Sequence, residues 1–150
     1  MGVRGMGRVC PCGVKVDAFA RKENVRFGGV NGSICGDLIY KADVCVSTPA
    51  DSTLSLCFED TETPNRYSFL FTANVINDVT CTREGQNCVV TVCGTGTIGK
   101  RQYPFVAVFR DQVATAANDI VQSFVIKGLF DQSGAVLVKQ GSIVALGCQS

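Results

Sequence analysis

The feature that most limits the fold is a recurring pattern of short runs rich in valine, isoleucine, threonine and aromatics. Glycine, proline, asparagine or aspartate cuts these runs at close intervals. The pattern is densest between Cys88 and Gly147, with runs over 88–93, 103–109, 120–130, 135–139 and 142–146, and breaks at 94–99, 111–119 and Gly134. The N-terminal half uses the same grammar. Val14, Val16, Ala18 and Ala20 alternate with Lys15, Asp17 and Phe19; Leu54, Leu56 and Phe58 alternate with Thr53, Ser55 and Cys57; Tyr67, Phe69, Phe71 and Ala73 form a further run, ended by Asn77-Asp78. Such residues at a period of two suit a half-buried pleated strand. Only 113–117 reads as a single helical turn. The spacing predicts an all-β chain of about nine to eleven short strands, an antiparallel β-sandwich or jelly roll. The domain covers 13–150, and the glycine-spaced residues 1–12 form an extended N-terminal arm.

At 150 residues the chain suits one domain with a substantial core, and 46% hydrophobic against 18% charged residues marks it as ordered. A net charge of +1 argues against a nucleic-acid binder, and no apolar run is long enough to span a membrane. The first residues carry no apolar stretch of signal-peptide type. Met1-Gly2 invites acylation, but Met6 stands where that motif needs serine or threonine.

Nine cysteines and no histidine set the chemistry. Without histidine, the commonest general base and metal ligand is missing, so serine and cysteine nucleophiles lack their usual partner and an enzyme is not expected. Gly94-x-Gly96-x-x-Gly99 matches a dinucleotide fingerprint, and Gly99-Lys100 nearly completes a phosphate loop. Both need a helix to follow, whereas 103–109 reads as a strand and Arg101 replaces the required serine or threonine, so a hairpin turn is the better reading. Cys10-Pro11-Cys12 lacks a second pair at zinc spacing, Asp111 and Asp119 are too few oxygens for calcium and read as solvated loop residues, and no cofactor is expected. Asn31-Gly32-Ser33 is first of all a turn.

So many cysteines point to an oxidised, extracellular destination, and an odd number leaves at least one thiol free or bound to another chain. Cys88 and Cys93, five apart in one strand, face opposite ways and cannot bridge each other. Cys10 and Cys12 near one terminus, with Cys148 near the other, are the candidates for bridges between chains; pairing of all three within the chain is the alternative. Cys35, Cys45, Cys57, Cys81, Cys88 and Cys93 are the candidates for intramolecular bridges, and Cys81 with Cys88 could clamp a hairpin.

Two resemblances carry these readings further. Gly94 and Gly96 before the aromatic strand at Phe105, then Asp111, then Asp119, Phe124 and Ile126, then Gly134 and Gly141, resemble an all-β module repeated in secreted and surface proteins of Gram-positive bacteria. Gly5-x-Gly7 and Gly36-Asp-Leu-Ile-Tyr40 echo its first half. That module is generally non-catalytic, which implies a binding module for a glycan or a surface protein. The many cysteines without a leader resemble the design of bacterial endospore appendage subunits, jelly rolls that stack into fibres through a cysteine-bearing N-terminal arm. That likeness implies a self-assembling subunit at the cell or spore surface, joined head to tail to copies of itself, with a surface anchor protein or glycan as a further partner. Arg4 and Arg8 in the arm, against Asp51, Glu59, Asp60 and Glu62, are the candidates for complementary charge.

Overall fold

The computed structural model describes residues 10–62, 66–113, 118–132 and 134–148. Ten strands follow one another: β1 (Gly13–Phe27), β2 (Ile34–Cys45), β3 (Thr53–Asp60), β4 (Phe69–Glu84), β5 (Asn87–Ile98), β6 (Arg101–Asp111), β7 (Asp119–Ile126), β8 (Phe130–Gln132), β9 (Val136–Val138) and β10 (Ile143–Leu146). A 3-10 turn at Pro49–Asp51 is the one helical element among the described residues. The helical turn expected at 113–117 falls largely on residues outside that description.

Every pairing is antiparallel between strands adjacent in space, and β8 pairs back onto β1 through Arg26↔Asp131 and Phe27↔Phe130. The sheet therefore closes into an eight-stranded barrel instead of the expected sandwich or jelly roll. The eighth position is a broken strand. β8 and β9 run along β7, and β10 returns to β1 with Gly13↔Leu146 and Val16↔Ile143. The sandwich expectation failed because bulges absorb the breaks. At Asn77-Asp78, where a turn was expected, β4 shifts register against β5 between Ile76 and Asp78 and runs on unbroken for 16 residues. In β1, one extra residue enters between Ala20 and Glu23, Lys22 takes φ 53°, and its N–H donates to Asp37 Oδ1 at 3.0 Å. Bulges of this kind increase twist and bend, which lets one sheet coil round to meet its own edge.

The alternation read from the sequence decides which way each side chain points. Val14, Val16, Ala18 and Ala20 are buried, and the extra residue at the bulge moves the inward set to Val25 and Phe27. Phe71 and Phe124 meet edge to face, and Phe105 stacks on Phe124 with centroids 6.1 Å apart. The Gly94-x-Gly96 pair lies in the body of β5, not in its turn. A Cβ on Gly96 would sit 2.4 Å from Phe71 Cζ, so its bare backbone makes room for that ring. Only Gly99, at φ 60°, serves the hairpin turn to β6. Tyr40 is fully buried, donates its O–H to Gln132 Oε1 at 2.6 Å, and is held well above the usual phenol range by burial first and by Glu23 second. Gln132 Nε2 in turn donates to the carbonyls of Val121 and Gly134, which completes a polar link through the apolar core.

Candidate functional site

The two mouths of the barrel are closed by different chemistry. At the mouth where β1 and β3 end, Phe27, Phe58, Phe69, Tyr67 and Phe130 pack as one aromatic cluster, with centroids 5.1 to 6.1 Å apart. At the opposite mouth both chain ends are stapled to the wall. Cys10 bridges Cys45 at the end of β2, Cys12 bridges Cys81 in β4, and Cys148 bridges Cys88 in β5. In an eight-stranded closed sheet, β4 and β5 lie across from β1 and β10, so the second and third bridges span the opening. The two ends also cross each other. Gly147 takes φ 107°, and a Cβ there would stand 2.1 Å from the Pro11 carbonyl oxygen, so neither the conformation nor the space suits a side chain.

Two carboxylates brace the stapled mouth. Asp119 is fully buried and accepts from the backbone N–H of Gln112, Gly141 and Ile143 at 2.9, 2.8 and 3.0 Å. It ties the break between β9 and β10 to the end of β6, and is not the solvated loop residue expected. Asp111 accepts from the Ala145 N–H at 2.8 Å; burial pushes its carboxyl up, an effect that this hydrogen bond opposes and the nearby Asp119 adds to. The Arg83 guanidinium donates to the Cys148 carbonyl. Among the described residues no group of three or more His, Cys, Asp or Glu side chains is arranged to hold a metal ion, and no helix is long and apolar enough to cross a membrane.

The cysteine assignments change accordingly. Cys10, Cys12 and Cys148, the candidates for bridges between chains, are each engaged within the chain. Cys45, Cys81 and Cys88 are their partners, and Cys81 does not clamp the hairpin to Cys88. Cys35, Cys57 and Cys93, expected to bridge within the chain, are free and half-buried. Sequence spacing could not reveal this, because the three bridges close separations of 35, 69 and 60 residues through a barrel that only the tertiary fold brings together.

All three free thiols lie on the outer wall. Burial raises Cys57 and Cys93 above the ordinary thiol range, and Glu59 adds to the first and Asp78 to the second, while Lys127 opposes the effect at Cys93. Alkylation by iodoacetamide without reductant should therefore add three groups, at Cys35, Cys57 and Cys93. The rates at Cys57 and Cys93 should keep climbing to higher pH than an unhindered thiol's, because only the thiolate attacks. Labelling at any of the other six under these conditions would contradict the bridge assignment.

Cys57 belongs to an apolar row across four strands. The registers place Phe19 beside Ile39, Ile39 beside Cys57 and Cys57 beside Leu70, all pointing outward. Phe19 is 46% and Leu70 58% exposed, and the Arg21 guanidinium stands over the Phe19 ring. An open cleft of about 540 Å³ borders the row between the ends of β3 and β4, lined by Asp37, Glu59 and Leu70 among others.

The proposed charge group does not hold together. Asp51 sits in the 3-10 turn at the stapled end of β3, whereas Glu59 and Asp60 lie at its other end. Asp60 is buried and accepts from the N–H groups of Glu62, Arg66 and Tyr67, so it organises its own loop. Glu62 accepts from the Cys35 N–H, and Glu59 remains exposed. Arg4 and Arg8 lie outside the described residues. Comparison of the chain with protein-family models, with curated proteins and with solved structures finds no match.

Proposed function

We propose that this chain is a structural subunit of an extracellular or spore-surface filament, built for contacts with copies of itself. The observation that carries this reading is the division of the cysteines: six staple the barrel internally, and the remaining three stand on its outer wall. A barrel filled by aromatic and aliphatic side chains, with both mouths closed, leaves the outer wall and the chain ends as its working surfaces. Three bridges are compatible with an oxidising location. Subunits join head to tail: the arm leaves the stapled mouth of one copy, and Arg4 and Arg8 meet Glu59 and Glu62 at the aromatic mouth of the next. A contact between unlike ends does not close on itself, and so propagates. Covalent reinforcement falls to Cys35, Cys57 and Cys93.

Negative-stain microscopy and electrophoresis with and without reductant, on the same preparation, test the proposal. Filaments are expected, with ladders that collapse on reduction. Removal of residues 1–9 should abolish the filaments, and the Cys35→Ser/Cys57→Ser/Cys93→Ser variant should keep filaments but lose the ladder. A monomer on both gels with no filaments would overturn it. The binding-module reading would then take over, with the open cleft beside Leu70 as its site. A glycan site draws on aromatic platforms, and here the chain has no Trp and one of its three tyrosines, Tyr40, is inside the barrel.

A further inference from the structure

The outer wall carries a self-complementary charge pattern around its apolar row. On the aromatic-mouth side of Phe19, Ile39 and Cys57, the next outward residues along the strands are Arg21, Asp37 and Glu59. On the stapled-mouth side they are Asp17, Lys41 and Ser55. Asp17 and Lys41 are neighbours within the chain, with Nζ to Oδ1 at 2.9 Å, and both side chains are well exposed. The order of charge on β1 is thus minus, apolar, plus along the chain, and the same order holds along β2: Asp37, Ile39, Lys41.

We propose that the row Phe19, Ile39 and Cys57, on three adjacent strands, is a contact between two copies of this chain, packed about a two-fold axis that runs across the strands along the row. Such an axis exchanges the two flanks. Arg21 then faces the Asp17 of the other copy, Asp37 faces its Lys41, Glu59 faces its Ser55, and each ion pair occurs twice. An axis along the strands would instead carry β2 onto β3 at the same height and set Asp37 against Glu59, which like-charge repulsion disfavours. An axis along the strands between β1 and β2 would pair Arg21 with Asp37 and Asp17 with Lys41, but it would leave Cys57 uncovered; the axis along the row buries Phe19, Ile39 and Cys57 together and brings its own charge pairs with them.

The same axis passes beside Cys57 and brings it next to its own copy. An oxidant of the low-molecular-weight disulfide class can then trap the pair. Each Cys57 thiol gives up one proton and one electron, one S–S bond forms between the chains, and the S–S bond of the small disulfide is cleaved to two thiols. This contact is isologous and lateral, so it does not depend on head-to-tail growth.

Sedimentation equilibrium of the soluble chain in the absence of oxidant is the first test, with filaments scored separately by microscopy. A reversible dimer is expected. Arg21→Asp should weaken it about tenfold or more, since two pairs turn repulsive. The Asp17→Arg/Arg21→Asp swap should restore much of the loss; both variants lack the Arg21–Phe19 contact, and Asp17→Arg alone, which breaks the Asp17–Lys41 pair in the same way as the swap, is measured beside them and should also dimerise more weakly than the swap. With oxidised glutathione added, peptide mapping should find Cys57 joined to Cys57, ahead of any bridge through Cys35 or Cys93. A monomer at every concentration, a swap no better than the single reversal, or bridges shared evenly among the three thiols would each overturn the proposal.

Discussion

Replacing Asp119 with alanine should lower folding stability by about 3 kcal/mol, since one buried and two part-buried N–H groups lose their acceptor at about 1–3 kcal/mol each, less what water and relaxation recover. The carboxylate stands where the eighth strand breaks between β9 and β10 and cannot satisfy its own backbone by sheet pairing. Asp119 Oδ2 accepts from both Gly141 and Ile143, and Oδ1 accepts from Gln112. Asp119→Asn keeps the size and one acceptor oxygen but turns an amide towards the remaining N–H donors, so its cost should fall between wild type and alanine. Urea titration followed by circular dichroism measures both. A loss under about 1 kcal/mol for alanine, the level of an ordinary surface change, would show that the break is held by something else.

Removing the Cys12–Cys81 bridge by paired serine substitutions should cost a similar amount. Opening a cross-link that closes 69 residues returns about 4 kcal/mol of chain entropy to the unfolded state. For a domain of this size that corresponds to a melting temperature lower by about 10 °C. Using serine at both positions matters, because a single replacement would leave a thiol free to exchange with Cys35, Cys57 or Cys93. The far-ultraviolet spectrum should stay that of a β protein, since the strand ladders do not run through this bridge. A melting point within about 3 °C of wild type would mean that the N-terminal segment is held by its packing and not by the bridge.

Much of the wall was legible in the sequence, because alternation is a local property. Val14 to Ala20 and Leu54 to Phe58 point inward as their period requires. Closure of the wall was not legible. Whether ten antiparallel strands stack as two sheets or meet edge to edge depends on accumulated twist, and here it turns on single inserted residues such as Lys22 in β1 and on the shift at Asn77 in β4. Asn77-Asp78 looks like a turn signal when read alone, and Lys22 carries no local signal of its bulge. Of the two readings left open for Cys10, Cys12 and Cys148, pairing within the chain is the one that holds, because the barrel mouth sets Cys45, Cys81 and Cys88 beside them, which no local spacing discloses. The glycines of 94–99 are followed by a strand, β6, as expected, although only Gly99 lies in the turn and the demand on Gly96 comes from a ring on the neighbouring strand that no local pattern discloses.

The crossing of Pro11 and Gly147 has a practical consequence for engineering. Because Cys10 and Cys148 lie at one mouth, a short peptide from one to the other, in place of residues 1–9 and 149–150, need not traverse the barrel. New ends opened in the exposed Gly28–Ser33 turn, at the far mouth, would give a circular permutant with every bridge retained. Such a molecule would carry any passenger domain on the opposite pole, and would separate the contribution of chain polarity from that of the wall itself.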